Sequence, residues 1–444
     1  MMLRDNREIV IVGAGITGLT LAYELAKQNN FNVTIIEKEK RIGGLAKSFK
    51  YNGFSFDIGP HRFDVSNGKI LRFIKEVMRD DTVSIDRHSG VYFLKKYYTW
   101  PFCPTALYRL PIHITAKSAF DLLFKNKKML RQDNFESYIV RNYGPTLYRV
   151  FFKDYTEKFL GMRSEKVHSD WSKLSMKRAV SDESVACRNL LDILKLILYP
   201  FSIQNEFLYP KGGIGDFCER ISEKVKELGG NILVDATISD IKTSENRIDS
   251  VKVNDITLKP RFLIWTGALK DLCRAINFSD HGINYLSLLI YNFELNKKQV
   301  DSHYQWCYYG DKNLILCRLS NPSLFGSNCA PEGKVGICVE VTCREGAERW
   351  RSPWSLLSQM KKDLVKIGVI KHEEDIENVH VERIADAYPI YDIDYTHRLS
   401  ALKSKLKRFE NLLLAGRTGL FWYNNMHDSI KNGLQLARHF VENS

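Results

Sequence analysis

The chain has 444 residues, of which 44% are hydrophobic and 26% charged, so a disordered or fibrous protein is excluded and two or three domains are expected. Its formal charge of +13 attracts polyanions, but no RNA-binding signature or zinc-finger spacing accompanies it, so we expect no nucleic-acid partner. No apolar run reaches the roughly 18 residues of a membrane span, and no signal-peptide pattern is visible. We therefore expect a cytoplasmic protein without an integral membrane segment. Nine scattered cysteines show no metal-ligand spacing, so we expect reduced thiols and no metal site.

The first predicted unit is a strand, a tight turn, a helix and a second strand. The run EIVIV (8–12) leads through GAGITG into the helical pattern LTLAYELAKQ, and FNVTIIE (31–37) is predicted as the second strand. Gly13 permits the turn, Gly15 lets the backbone approach a pyrophosphate, and Gly18 allows close packing of helix on strand. At the end of the second strand, the Glu37 carboxylate can accept hydrogen bonds from a ribose diol and would repel a 2′-phosphate. This pattern predicts a Rossmann-type unit that binds FAD or NAD rather than NADP.

A second glycine-rich stretch follows this unit. KEKRIGGLAKSF carries Lys38, Arg41, Gly43, Gly44 and Leu45. A glycine pair beside an arginine suits a second close backbone approach along an extended dinucleotide, although Gly-Gly also marks ordinary turns. Its offset from the acidic residue is similar to that in FAD-binding enzymes of the glutathione-reductase-like fold. We therefore expect FAD as the cofactor.

The middle of the chain changes pattern twice. Residues 111–200 are predicted to be helix-rich, and charges interrupt the apolar run LLDILKLILYPF within them, which favours a core or interface helix over a membrane segment. A predicted helix at 214–228 is followed by the short strands NILVDATI, RIDSVKV and FLIWTG. This return to strands predicts a discontinuous cofactor domain in an α/β fold. The expected units are an FAD-binding domain (1–85, 205–275 and 375–444), a helix-rich substrate domain (86–204) and an antiparallel-sheet substrate domain (276–374).

Three later stretches, in this order, resemble the UDP-galactopyranose mutases. They are FESYIVRNYGPTLYRVFFKDYTEKFLG (135–161), then LIWTGALKDLC, and finally AYPIYDIDY with ENLLLAGRTGLFWYNNMHDSIKNGLQLA. The resemblance covers almost the whole chain. Relatives of protoporphyrinogen oxidase and the amine oxidases share the amino-terminal half and the YPKGG turn at 209–213. An FAD-dependent oxidoreductase of that type is therefore the competing interpretation.

The mutase resemblance implies an FAD-dependent isomerase of cell-surface polysaccharide biosynthesis. Reduced FAD would form an adduct with the sugar of a nucleotide-diphosphate sugar through flavin N5, and the ring would interconvert between pyranose and furanose without net redox. The resemblance implies NAD(P)H or another reductant as a partner and allows a homodimer. A flavin-bearing interaction or redox-sensing protein without enzymatic activity is a third interpretation.

The resemblance also assigns residues to the cofactor. His61 lies in FDIGPHRFDV, where Gly59 and Pro60 fix a turn, and it is similar to a histidine that the mutases hold against the flavin ring. A neutral imidazole there can tune the reactivity of flavin N5. The implied cofactor-binding residues are Gly13, Gly15, Gly18, Glu37, Lys38, Arg41, Gly43, Gly44, Leu45, His61, Thr237, Thr266, Gly267, Gly416, Arg417, Tyr423, Asn424, Asn425, Met426 and Ser429.

A diphosphate sugar requires permanently charged, planar donors and neutral hydroxyl donors, which arginine and tyrosine supply. Arg318 interrupts the otherwise apolar strand LILCRLSN, and an arginine is rarely buried without a partner. The catalytic residues that the resemblance implies are His61, Arg178 and Arg318. The implied substrate-binding residues are Tyr155, Leu160, Arg178, Arg318, Tyr388, Arg417 and Tyr423.

Three positions depart from the mutase pattern. Leu160 stands where a tryptophan is expected, Phe421 replaces a tyrosine and Asn425 replaces an aspartate. The loss of a ring, a hydroxyl and a charge predicts a reshaped pocket, so we expect a nucleotide sugar other than UDP-galactose. Glu340, in ICVEV, is similar to an acidic residue that precedes a late strand of the mutases.

Overall fold

The computed structural model describes residues 8–100, 110–124, 133–179, 206–296, 304–326 and 328–443. The strands are β1 (Glu8–Val12), β2 (Asn32–Ile36), β3 (Ser48–Tyr51), β4 (Phe54–Asp57), β5 (Phe63–Asp64), β6 (Thr82–Asp86), β7 (Ser89–Phe93), β8 (Lys96–Trp100), β9 (Glu206–Pro210), β10 (Asn231–Leu233), β11 (Ile238–Thr243), β12 (Ile248–Val253), β13 (Ile256–Leu258), β14 (Phe262–Trp265), β15 (Tyr285–Asn296), β16 (Trp306–Tyr309), β17 (Arg318–Ser320), β18 (Lys334–Cys343), β19 (Ile376–Pro389) and β20 (Leu412–Leu414). The helices are α1 (Ile16–Ala26), α2 (Gly68–Met78), α3 (Ile112–Leu123), α4 (Phe135–Leu147), α5 (Lys153–Leu160), α6 (Ser169–Ala179), α7 (Gly215–Glu227), α8 (Leu269–Ala275), α9 (Glu348–Arg351), α10 (Leu357–Lys366), α11 (Tyr395–Leu406), α12 (Gly416–Gly419) and α13 (Met426–Glu442).

A parallel five-stranded sheet, ordered β10-β2-β1-β14-β20, forms the cofactor half of the molecule. Its central strands are apolar on both faces. Helices α1, α7 and α13 cover one face, and a large cluster of buried apolar side chains covers the other. α1 and α13 cross closely at Gly433, where an added methyl group would lie 2.9 Å from the Thr17 carbonyl oxygen. The predicted strand, turn, helix and strand at 8–37 are therefore confirmed, as are α7 and β14.

A seven-stranded sheet, ordered β19-β15-β18-β17-β16-β7-β8, forms the other half. All its pairs are antiparallel except β16 with β7. Three of its strands lie outside the segment 276–374 that was expected to form it. The β7–β8 hairpin comes from the expected helix-rich segment, and β19 comes from the expected third cofactor segment. Local sequence patterns identify strands but not their distant partners, which is why these two boundaries differ.

A bulge in β19 sets the direction of Tyr388. Leu286 of β15 pairs with Tyr388 and Leu288 pairs with Ile384, so three residues of β19 stand opposite one residue of β15. Asp386, within the bulge, has a φ of +53°, a left-handed conformation that non-glycine residues rarely adopt. The bulge brings Tyr388 to the wall of the cavity described below.

Besides the two sheets, the molecule has a helical part, of which α3 to α6 are described. These helices lie beside the seven-stranded sheet. A short π-helical turn at Tyr148–Phe152 connects α4 to α5. Lys158 on α5 is half-buried and donates hydrogen bonds to the carbonyl oxygens of Tyr309 and Leu316 at 2.5 and 2.8 Å, which ties α5 to the loop before β17. The run LLDILKLILYPF lies outside the described residues. None of the helices that the structure describes is long and apolar enough to cross a membrane.

Candidate functional site

One cavity of about 1210 Å³ extends from the parallel sheet to the seven-stranded sheet and the helical part. Gly13 and Gly15 line it at the parallel sheet, and Arg318, Tyr388 and Tyr155 line it at the far end. We call these two regions the cofactor end and the substrate end. All three parts of the fold therefore contribute to a single site.

The turn between β1 and α1 shapes the cofactor end. Gly13 has a φ of +104°, and a methyl group at Gly18 would overlap the Gly13 carbonyl oxygen, so neither position admits a side chain. At Gly15 a methyl group would meet no atom within 4 Å, so the protein leaves space above this residue. Gly15 is also the N-cap of α1, whose first N–H groups make the partial positive charge that binds a pyrophosphate.

Glu37 lies directly beside this turn. One of its carboxylate oxygens accepts a hydrogen bond from the Ala14 N–H at 2.8 Å, and the other accepts one from the Glu39 N–H at 3.0 Å. Burial raises the pKa of Glu37, while the two backbone donors oppose that rise. The carboxylate is fixed in place and lines the cavity, as a ribose-binding acid requires.

The second glycine pair touches the first loop. The Gly43 N–H donates to the Ala14 carbonyl at 2.8 Å, and a methyl group on Gly44 would lie 3.3 Å from the Gly15 Cα atom. The two glycine loops therefore form one continuous backbone surface. Arg41 does not line the cavity. Its guanidinium carbon instead lies 5.3 Å from the centre of the Phe49 ring.

Most of the other expected cofactor residues do line the cavity. The first residues of α13 reach it because the Thr17 hydroxyl donates to the Ser429 carbonyl at 3.0 Å, which holds the start of α13 against α1. Gly18 packs beneath the cradle without lining it. The expected residues on the cavity wall are Gly13, Gly15, Glu37, Lys38, Gly43, Gly44, Leu45, His61, Thr237, Thr266, Gly267, Gly416, Arg417, Tyr423, Asn424, Asn425, Met426 and Ser429. This cradle, with its open space above Gly15 and its fixed acid, fits FAD.

At the substrate end, Arg318 and Glu340 form a buried ion pair across β17 and β18. The Arg318 Nε and Nη2 atoms donate to the two Glu340 oxygens, the second at 2.7 Å, and Nη2 also donates to the Tyr388 hydroxyl at 3.3 Å. Burial by itself would lower the pKa of Arg318, but Glu340 and Tyr388 hold it well above its usual range. Arg318 therefore stays charged, and Glu340 fixes its direction at the cavity wall.

Arg417 lies between two tyrosine rings. Its guanidinium carbon is 4.8 Å from the ring centres of both Tyr388 and Tyr423, and its Nη1 donates to the Asn424 carbonyl at 3.1 Å. Burial, partly opposed by Arg318, raises the pKa of Tyr388 to about 12, so this phenol remains a neutral donor at physiological pH. A second guanidinium is thus held where the two ends of the cavity meet.

Sequence reasoning missed two aromatic residues of the substrate end. The Trp171 ring stacks on Tyr423 at 4.9 Å between centres, and the Tyr308 ring meets Tyr155 edge-on at 6.0 Å. Both line the cavity. Burial raises the pKa of Tyr155 well above its usual value, so its hydroxyl is also neutral. Trp171 and Tyr308 carry no local signal beyond being aromatic, since a buried ring in a core has the same sequence pattern as one in a pocket.

The turn that carries His61 rests on the ion pair of the substrate end. Gly59 has a φ of +78°, and a methyl group there would lie 2.6 Å from Arg318 Nη2 and 2.7 Å from a Glu340 oxygen. The His61 N–H donates to the Gly59 carbonyl at 2.9 Å, which closes the turn, and His61 lines the cavity. The turn at Gly59 and Pro60 therefore places His61 at the cavity wall, and its contact with the flavin stays a prediction.

The departures from the mutase pattern have structural positions that the sequence did not reveal. Leu160 is 1% exposed and belongs to the core rather than to the cavity wall. A leucine in place of a tryptophan at this position therefore does not enlarge the pocket. Phe421 is likewise buried away from the wall, against Tyr285. Asn425 lines the cavity and also caps α13, since its N–H donates to Asp428 at 3.0 Å. Arg178 lies on α6, and its side chain is outside the described residues.

Within the described residues, no group of three or more His, Cys, Asp or Glu side chains could hold a metal ion. The site offers a dinucleotide cradle, two fixed guanidinium groups and several neutral phenols. Such groups can bind a flavin and an anionic substrate side by side.

Comparison with known proteins supports this assignment of the cradle. The family model of flavin containing amine oxidoreductases matches residues 16–279, more than half of the chain. Coproporphyrinogen III oxidase of Staphylococcus aureus (strain NCTC 8325 / PS 47) is 23% identical over 472 aligned residues, which cover 98% of this chain and 99% of that protein. A 4,4′-diapophytoene desaturase of Staphylococcus aureus (strain bovine RF122 / ET3-1) is 24% identical, covering 84% of this chain and 83% of that protein.

Among solved structures, the crystal structure of reduced UDP-galactopyranose mutase matches with a TM-score of 0.82 at 21% identity and covers 99% of this chain and 96% of that one. At that identity the likeness shows the fold, and it confirms the expected α/β FAD-binding architecture. The sequence relatives are an oxidase and a desaturase, which favours the oxidoreductase interpretation over the mutase one. The chain belongs to the flavin containing amine oxidoreductase family and is an FAD-binding flavoprotein.

Proposed function

We propose that the protein is a flavin-dependent mutase that converts a nucleotide-diphosphate sugar between its pyranose and furanose forms. One observation carries the proposal: Arg318 and Arg417, with the phenols of Tyr155, Tyr388 and Tyr423, surround one cavity that continues into the dinucleotide cradle. A diphosphate needs this combination of permanent positive charge and neutral donors. A mutase structure shares the fold, whereas the relatives by sequence favour the second candidate below. The proposal therefore rests on the substrate end of the cavity.

The residues of the substrate end have separate roles in this reaction. Arg417 and Arg318 bind the diphosphate and stabilise the negative charge that grows on it as its bond to the sugar breaks. Glu340 keeps Arg318 pointing at the cavity, and Tyr388 donates a hydrogen bond as a neutral phenol. The rings of Trp171 and Tyr308 exclude water around the sugar. Bound FAD, in its reduced form, supplies the nucleophile, and we propose NAD(P)H or another cytoplasmic reductant as its source.

A second candidate is an FAD-dependent oxidation in the manner of the amine oxidase and protoporphyrinogen oxidase group. The similarity to a coproporphyrinogen III oxidase along 98% of the chain favours it. The same two arginines would then bind substrate carboxylates, which present the same planar oxygen pairs to a guanidinium. The two candidates share the site and differ in whether electrons leave the substrate.

One experiment separates them. The purified holoprotein is incubated without oxygen with a panel of UDP-, dTDP- and GDP-sugars, with and without dithionite, and the products are separated and identified by mass and proton NMR. The mutase proposal expects a product of unchanged mass that forms only with reduced flavin. Parallel samples without dithionite are incubated in air with coproporphyrinogen III and with a set of amines. Peroxide formation and a product that has lost hydrogen in those samples would establish the oxidase instead.

A further inference from the structure

Helix α3 presents an apolar face to solvent. Ile112 is 85% exposed, and the rings of Phe120 and Phe124, whose centres are 4.4 Å apart, are 60% and 68% exposed. The exposed apolar residues recur at the spacing of one side of a helix. They form what we call the α3 outer face, which consists of Ile112, Ala116, Ala119, Phe120, Leu123 and, one residue past the helix, Phe124.

Of the side chains that the structure describes, those on the inward side of this helix are more polar than those on its outer face. Ser118 is buried there beside Ile114, and Asp121 accepts a hydrogen bond from the Thr146 N–H of α4 at 2.7 Å. A helix on the surface of a globular protein ordinarily has the opposite arrangement, with its apolar side toward the core. Among the residues that the structure describes, none covers the α3 outer face, which is therefore a candidate for contact with an apolar partner.

Positive charges border this face. Lys117 is exposed along its edge, and in the sequence the basic stretch KNKKMLR (125–131) follows the helix. The chain as a whole carries a formal charge of +13. A helix with an apolar face and basic flanks is the type that lies in the interface of an anionic membrane.

The α3 outer face lies near the apolar part of the cavity wall. Leu110, two residues before Ile112, packs together with Trp100 and Phe151 against the buried cluster that contains Phe93. Those three residues also line the cavity. A surface that covers α3 would therefore lie close to this side of the cavity.

We propose that the α3 outer face docks the protein onto the surface of a negatively charged lipid bilayer. The charges favour this occupant over a second copy of the chain, because two copies meeting across α3 would bring their own basic flanks together. The helix would lie in the plane of the interface with its apolar side chains among the lipid tails. Docking of this kind does not depend on which reaction the flavin carries out.

Sedimentation with lipid vesicles tests the proposal. The full-length holoprotein is mixed with vesicles of phosphatidylcholine, with or without phosphatidylglycerol, and the bound fraction is measured. We expect binding to the vesicles that contain phosphatidylglycerol, weakening as salt screens the charges. The double variant Phe120→Ser/Phe124→Ser should lower the partition coefficient by about tenfold or more. Lys117→Glu should lower it several-fold.

Trp354→Ser is the matched control, since Trp354 is 56% exposed in another part of the chain and its loss should leave binding unchanged. Flavin absorbance and thermal unfolding check that every variant is folded. Three results would overturn the proposal: no binding of the wild-type protein to phosphatidylglycerol vesicles, an equal loss of binding in Trp354→Ser, or light scattering that shows a dimer which the Phe120→Ser/Phe124→Ser variant converts to a monomer.

Discussion

The cofactor end of the cavity is formed largely by backbone, whereas the substrate end is formed by charged and aromatic side chains. At the cofactor end, glycines leave space and helix α1 directs N–H groups at the ligand. At the substrate end, Arg318 is held by Glu340, and Arg417 lies between two tyrosine rings. A backbone site tolerates few sequences and is recognised from a short motif, but a side-chain site can be rebuilt by single substitutions. The difference explains why one family shares a cofactor and varies its substrates.

The largest effect is expected at the substrate end, from Arg318→Ala. This change leaves the Glu340 carboxylate, which is 1% exposed, without its cation and should lower the free energy of unfolding by about 3 to 5 kcal/mol. Urea denaturation of the purified protein measures it. The double variant Arg318→Ala/Glu340→Ala should be more stable than Arg318→Ala alone. If the two variants are equally stable, the unpaired charge of Glu340 is not the cause of the lower free energy of unfolding of Arg318→Ala.

The second prediction concerns a carboxyl group behind the cofactor end. Burial raises the pKa of Asp57 from 3.8 to about 6, although the hydroxyls of Ser48 and Tyr209 donate to it at 2.6 and 2.7 Å. Between these two pH values the folded protein holds a proton that the unfolded chain has released, so this group's contribution to stability falls as the pH rises from about 4 to about 6. The loss is on the order of 3 kcal/mol.

Asp57→Asn should remove this part of the pH dependence. Urea denaturation of both proteins across this pH range measures the difference in their free energies of unfolding. A wild-type curve that runs parallel to that of Asp57→Asn would show that Asp57 does not titrate in this range.

The smallest effect on the protein itself is expected from Gly15→Ala. The added methyl group meets no protein atom within 4 Å, so the stability of the apoprotein should change by no more than about 0.5 kcal/mol. The methyl group would occupy the space meant for the pyrophosphate, so FAD affinity should fall by about tenfold or more, which equals about 1.4 kcal/mol. Thermal unfolding and flavin titration of the apoprotein measure the two quantities.

Gly18→Ala is the contrasting variant at the same turn. Its methyl group would overlap the Gly13 carbonyl oxygen, so it should destabilise the apoprotein as well as weaken FAD binding. Should Gly15→Ala retain FAD as well as the wild type does, the pyrophosphate does not lie above Gly15.

The sequence predicted the cofactor end well because its information is local. The turn at Gly13, the helix after it and Glu37 lie within thirty consecutive residues, and each has a distinct backbone or charge requirement. The substrate end could be predicted only through a resemblance. Arg318 and Tyr388 are 70 residues apart and meet through strand pairing and a bulge in β19 that no local pattern reveals.

The same limit explains the remaining differences. The pairing of β16 with β7 joins residues more than 200 positions apart, so the β7–β8 hairpin could not be assigned to the large sheet in advance. Leu160 was expected on the pocket wall because of its place in a motif, but the packing of α5 turns it into the core. Aromatic residues such as Trp171 and Tyr308 have no sequence feature that separates a pocket wall from a hydrophobic core.

The contact at Gly59 has a consequence for how this protein can change over evolutionary time. Its Cα faces Arg318 and Glu340 so closely that a side chain there would displace the ion pair. A lineage that exchanges Arg318 for a smaller residue to accept a new substrate removes one of the two close contacts at position 59 and so changes the packing beneath the turn that carries His61, although the φ of +78° still favours glycine there. Substrate preference and flavin reactivity are thus expected to drift together, and a laboratory search for new specificities should vary positions 59, 318 and 340 as one set.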